Sequence, residues 1–136
     1  MTFRPLMTLR LETAPPQKLG GGAHGARLIY SITGGRFEGD RLRGRVLAGG
    51  DDWTITRADG VIELDLRTTL ETDDGALIYM TFDGLRDDQA PGGAYFRTVP
   101  RFQTASPKFE FLNRLLAVGR GEITGEGPVH RIDELL

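Results

Sequence analysis

From Met7 to Glu12, apolar Met7, Leu9 and Leu11 alternate with polar Thr8, Arg10 and Glu12, the two-residue period of a strand with one buried face. Pro15-Pro16 ends that run, and a second apolar run from Arg27 to Thr33 ends at Gly34-Gly35, residues that tolerate positive φ. Arg41, Arg43 and Arg45 alternate with Leu42, Gly44 and Val46, predicting a strand with three cations on a solvated face. Trp53 to Arg57 and Val61 to Arg67 flank Asp59-Gly60, a favoured type I′ hairpin turn. Asp73-Asp74-Gly75 separates Arg67 to Glu71 from Ala76 to Phe82, and Asp83-Gly84 closes that strand, so three sequential strands form a meander. Leu85 to Gly93 is polar and unpatterned, which predicts a loop over one end of the domain, placed to act as a lid. Tyr95 to Thr104 reads as a strand interrupted by Pro100, hence an edge, bulge or bend. Ser106-Pro107 opens a short helical turn over Phe109 to Leu115, and strands return at Leu116 to Val118 and Val129 to Ile132. Short strands with turns about every ten residues predict an all-β domain with little helix, a sandwich or a closed antiparallel barrel. Closure leaves no free strand edge.

The 136 residues suit a single domain spanning 1–136 and can bury a core without disulfides. A formal net charge of −2 gives no basic face for a phosphate backbone, so nucleic acid is not an expected partner. Of seventeen basic residues only Lys18 and Lys108 are lysine, a bias that decides nothing alone. The absence of Cys excludes disulfides, thiolate nucleophiles and Cys-containing metal sites. No run approaches the roughly 20 apolar residues of a membrane span, and Met1 to Leu6 lacks a signal-peptide h-region, so a soluble cytoplasmic protein without a membrane partner is expected. Gly20-Gly21-Gly22-Ala23-His24-Gly25 matches neither phosphate-loop pattern and reads as a loop.

Gly34-Gly35-x-Phe37-x-Gly39, Gly49-Gly50-Asp51-Asp52-Trp53, Asp59-Gly60, Asp65-x-Arg67, Thr72-Asp73-Asp74-Gly75 and Phe111-Leu112-Asn113-Arg114 run through nearly the whole chain. Together they resemble a bacterial and fungal family known as domain of unknown function 3237. The resemblance implies a small closed barrel of calycin-like shape with a central cavity, and a homodimer, but no general activity. Phe111 stands where that pattern usually has Trp, and Gln103 where it usually has an acid. If either residue lines the pocket, ligand choice has drifted.

Glu63, Asp65 and Arg67 share one face of their strand, and Ile62, Leu64 and Leu66 share the other. With the apolar set inward, the triplet is an ordinary outer face. With the charged set inward, Arg67 anchors a carboxylate or oxyanion and Asp65 is its counter-charge, or a base whose pKa burial raises. Asp52-Trp53 follows a Gly-Gly turn, which places a carboxylate and an apolar plate at a barrel mouth, or equally a core Trp beside a turn-forming Asp. Tyr79 offers a phenolic donor to the same cavity, and Arg97 with Tyr95 extends the polar cluster, although core packing also accounts for both tyrosines. His24 and His130 fit no metal-ligand spacing, and neither Ser31 nor Ser106 lies in G-x-S-x-G, so neither a metal nor a cofactor is expected. The expected function is binding of a small anionic or carbonyl compound. Asp52 or Asp65 would move a proton while Arg67 stabilises enolate-like charge, as in an isomerase, cyclase or lyase. The alternatives are a non-catalytic carrier or sensor, and a structural dimerisation module.

Overall fold

Along the strand Ile62–Thr72, Leu64, Leu66 and Leu70 are buried while Glu63, Asp65 and Arg67 face solvent. The apolar set therefore takes the inner face, and the alternation sets the inside and outside of a closed antiparallel barrel. The computed structural model describes all 136 residues. Its strands are β1 (Phe3–Thr13), β2 (Gln17–Gly20), β3 (Ala26–Glu38), β4 (Arg43–Val46), β5 (Gly50–Thr56), β6 (Ile62–Thr72), β7 (Leu77–Asp87), β8 (Tyr95–Thr104), β9 (Ala117–Thr124) and β10 (Gly127–Leu135), with one 3-10 helix at Pro107–Arg114.

Neighbours in sequence pair as neighbours in space, and β1 pairs with both β10 and β3, so the first and last strands close the ring. The β2 strand continues β1 along β3 after the Pro15-Pro16 break, and β5 continues β4 between β3 and β6. Ten strands thus occupy eight places round the barrel.

Two expected strand ends lie elsewhere, and one expected interruption leaves its strand whole. Gly34-Gly35 does not end β3 but lies beside the shift in the β1–β3 register. Gly35 has a φ of 138°, and a side chain at that position would collide with the Arg10 carbonyl. Asp83-Gly84 does not close β7 either. Gly84 sits inside the strand because a Cβ would lie 2.6 Å from the Arg97 carbonyl oxygen and 2.9 Å from Thr98 Cγ2. As β7 runs on to Asp87, the expected lid shrinks to the turn between β7 and β8. Pro100 leaves β8 continuous, pairing with Phe82 on β7, in the stretch beyond the short β8–β9 ladder at Arg97 and Thr98. Its missing N–H costs little where β8 has one partner.

The two ends of the barrel differ. At one end Leu6, Phe37, Leu70, Met80 and Phe102 fill the lumen, and Phe109 and Leu112 of the 3-10 helix pack onto it. Glu134 is fastened there by Arg4 at 3.0 Å and Arg41 at 2.6 Å, and the Arg41 guanidinium lies 4.8 Å above the Phe111 ring. Burial opposes ionisation of Glu134, but the hydrogen bonds from Arg41 and Arg4 outweigh it and hold the carboxyl below its ordinary range. The other end is not filled.

Candidate functional site

The unfilled end holds a cavity of about 250 Å3. All eight places in the ring supply its walls, among them Leu28, Tyr30 and Ile32 of β3, and Asp52, Thr54 and Thr56 of β5. Phe96 of β8 and His130 of β10 line it from the far side, and Arg86 enters from the end of β7. At about 30 Å3 for each water of the liquid, this is space for roughly eight waters or one single-ring organic molecule.

Two titratable groups stand in this apolar setting with opposite responses to it. Burial pushes the Asp52 carboxyl from its ordinary 3.8 up to about 6. A hydrogen bond of 3.1 Å from the Asp65 N–H to Asp52 Oδ1 lowers it again in part, and the nearby Asp65 carboxylate raises it further. Burial depresses His130 from 6.5 to about 4, so its imidazole is neutral at pH 7. That ring is 1% exposed, lies 5.0 Å from Phe82 and 5.2 Å from Phe96 by centroid, and its Nδ1 has no hydrogen-bond partner. A buried polar atom without a partner costs about 1–3 kcal/mol, and a polar ligand reaching it would recover that cost.

Tyr30 is the direct cross-strand neighbour of Asp52, and both line the cavity. Thr54 is committed, its hydroxyl donating to the Leu28 carbonyl at 3.0 Å. Arg86 holds Asp88 in two hydrogen bonds of 3.0 and 2.9 Å and lies 5.7 Å from the Phe96 ring centre. The cavity thus offers a carboxyl that changes charge near neutrality, a phenol, a neutral imidazole and one partly engaged cation.

Of the site residues expected from the sequence, only Asp52 lines the lumen. Asp65 and Arg67 point outward from β6, Tyr79 from β7 and Arg97 from β8, because each is out of phase with the buried apolar residues of its strand. The lumenal roles given to Arg67, Asp65, Tyr79 and Arg97 are therefore corrected. Trp53 is 47% exposed and faces away from Asp52, since adjacent strand residues point to opposite sides. These outward residues are not scattered: Trp53, Asp65 and Arg97 line one external groove, and Trp53, Asp65, Arg67 and Tyr79 line a second beside it. Phe111 and Gln103 lie outside the cavity, so those two departures leave its walls unchanged.

Tyr30, Arg86 and His130 escaped the sequence reading. Tyr30 is in phase with Leu28 and Ile32, and His130 with Ile132, signals of inward placement that period counting alone contained. Arg86 lies beyond Asp83-Gly84, the turn residues that predict an end to β7, so local pattern puts it in a loop.

Fold and cavity together define a small closed antiparallel barrel, packed at one end and hollow at the other, with acid–base groups in the hollow. A family model described as a protein of unknown function (DUF3237) matches residues 1–135, and the chain belongs to that family. A UPF0311 protein of Clostridium acetobutylicum is 38% identical over 126 residues, covering 82% of this chain and 80% of that protein. A solved beta-barrel like protein from Acinetobacter baumannii AYE superimposes with a TM-score of 0.94 at 37% identity, covering 99% of this chain and 96% of its own. A structure described as an enzyme from Penicillium herquei has a TM-score of 0.81 at 23% identity over 98% of this chain and 94% of that one, a likeness of fold alone. No helix is long and apolar enough to cross a membrane.

Proposed function

We propose that the chain is a cofactor-independent acid–base catalyst, of isomerase, cyclase or lyase type, that holds a small carbonyl-bearing organic molecule in the hollow end of the barrel. The observation that carries this reading is the lumenal Asp52 carboxyl, pushed by burial to about 6. At that value the group is an ionised base for most molecules at pH 7, yet it retains a captured proton well enough to return it to a second atom. Asp52 takes a proton from carbon next to the substrate carbonyl. Tyr30 donates a hydrogen bond to the oxygen on which enolate charge develops. Asp52 then delivers the proton to another carbon or to a leaving group. The neutral imidazole of His130, with Nδ1 unpartnered, orients a hydroxyl or carbonyl at the far wall. Because the one lumenal arginine is already engaged with Asp88, a neutral carbonyl compound suits the cavity better than a free carboxylate.

The test is solvent deuterium exchange. Cyclic ketones, lactones and phenolic ketones that raise the unfolding temperature are incubated with protein in deuterated buffer and followed by NMR. The parent is expected to exchange the carbon-bound proton with a rate rising through pH 6. Asp52→Asn is expected to lose at least about 100-fold while still binding. A ligand that occupies the lumen, with no exchange or conversion in the parent, identifies a carrier and sinks the catalytic reading.

A further inference from the structure

The ladder between β5 and β6 is interrupted beside Asp52. It pairs Asp52 with Leu66 and Ile55 with Glu63, but neither Trp53 with Asp65 nor Thr54 with Leu64, although the register on either side would set them opposite. Both pairs depend on a bond from the Asp65 N–H to the Trp53 carbonyl. That bond is replaced at each end. The Asp65 N–H donates instead to Asp52 Oδ1 at 3.1 Å, and the Trp53 carbonyl accepts from Arg27 Nη1 at 3.4 Å. A side-chain carboxyl has taken the place of a backbone acceptor in the barrel wall.

Asp52 therefore communicates with both sides of that wall. Its carboxyl lines the lumen, while Asp65 carries its own side chain to the outer face, where it lines both external grooves. There Asp65 stands directly opposite Asp83 of β7. Neither acid joins any of the eight ion pairs of the chain, and like charges set opposite one another are unfavourable in a sheet. The groups facing Asp52 from the other elements do not offset this charge. Tyr30 on β3 offers a phenol, His130 on β10 is a neutral imidazole at pH 7, and Arg86 on β7 is engaged by Asp88. On the outer face Asp51 of β5 lies opposite Arg67 of β6, acid against base.

We infer that Asp65 is the positioning residue of Asp52, holding one carboxyl oxygen by its N–H from within the wall and pressing a negative charge on the group from outside the barrel. The inference rests on the reading of Asp52 as the lumenal base. With Oδ1 engaged by the wall, Oδ2 is the oxygen that takes the proton from the ligand, and a carboxyl fixed at one oxygen has less orientational freedom to lose during reaction. The two contributions of Asp65 act in opposite senses: its N–H favours the ionised carboxyl, and its carboxylate favours the protonated one. One residue thus sets the geometry and the proton affinity of a base inside the barrel, while its own side chain stays outside.

The experiment is a carbon-13 NMR titration of the full chain labelled at the aspartate carboxyls, with the Asp52 signal assigned by its absence in Asp52→Asn and folding verified by circular dichroism. It uses no ligand. The parent midpoint is expected at about 6. Asp65→Asn, which keeps the N–H and the size of the side chain but removes its charge, is expected to lower the midpoint by at least about 0.5 pH unit. Asp65→Glu, which keeps the charge, is expected to stay with the parent, and Asp83→Asn, one strand further from Asp52, to lower the midpoint by less than Asp65→Asn. The pH profile of deuterium exchange is expected to move with the midpoint while the ligand dissociation constant stays within about twofold. An unmoved midpoint in Asp65→Asn, an equal shift in Asp65→Glu or a larger one in Asp83→Asn would each overturn the assignment. Midpoints that move as expected in a protein that binds ligand without exchanging a proton would sink the catalytic reading of the lumen and leave the hold of Asp65 on Asp52 standing.

Discussion

Asp52 and His130 show what an apolar wall does to opposite kinds of acid. Burial favours the neutral form of both, raising the carboxyl to about 6 and lowering the imidazole to about 4. The two then act on stability in opposite directions over the same pH range. Asp52 binds its proton more tightly folded than unfolded, so its contribution is fully present below about 3.8 and is lost as pH rises through about 6. His130 binds its proton less tightly folded than unfolded, so its contribution is present above 6.5 and is lost as pH falls through about 4. Asp52→Asn is therefore expected to be more stable than the parent at pH 7, by up to roughly 3 kcal/mol, with the gap closing towards pH 4. His130→Phe, which keeps a ring between Phe82 and Phe96, is expected to weaken the acid sensitivity instead. Urea unfolding at a series of pH values checks both, and parallel curves for parent and Asp52→Asn would contradict the buried carboxyl.

Each strand has one decision to make: which of its two alternating sets goes inward. In β6 the set Leu64, Leu66 and Leu70 wins over Glu63, Asp65 and Arg67, since burying unpaired charge costs far more than exposing leucine. The outward placement of Arg67 makes a prediction that separates lumen from surface. Arg67→Ala is expected to leave the dissociation constant of a lumenal ligand within about twofold, whereas Tyr30→Phe is expected to weaken it about tenfold, the loss of one hydrogen bond of roughly 1–1.5 kcal/mol. Calorimetric titration of both variants against the same ligand decides it. Strand ends obey a different rule, set by close approach. Gly84→Ala is expected to destabilise by about 1–3 kcal/mol, read by urea unfolding, because its Cβ would press on the Arg97 carbonyl, a backbone atom that cannot turn aside.

At the scale of the whole barrel, stability depends on closure. The β10 strand pairs with β1 on one side and β9 on the other, and carries His130, Ile132 and Glu134 inward. A chain ending at Gly125 would leave two open edges and expose Leu9 and Leu11, so it is expected to show no cooperative thermal transition by circular dichroism. Much of this architecture was legible from alternation and turn residues: the hairpins at Asp59-Gly60 and Asp73-Asp74-Gly75, the break at Pro15-Pro16, the short helix after Ser106-Pro107 and the all-β class, with the choice of barrel over sandwich coming from the family resemblance. Those features are local, because period and turn chemistry act over a few residues. The site was only partly legible. Asp52 was found from its place after a glycine turn, but the choice of Arg67, Tyr79 and Arg97 as its companions needed the inner face, and they lie on the outer one. Sequence by itself determined that the chain alternates and turns as an all-β domain; that β1 pairs with β10 and closes the ring rests on contacts such as Arg4 with Glu134, 130 residues apart. Tertiary structure alone decided that one end of the lumen stays hollow, and that β3, β5 and β10 bring Tyr30, Asp52 and His130 to its wall. The reason is that a cavity arises from side chains converging across the barrel, and no pattern along a single strand records what stands opposite.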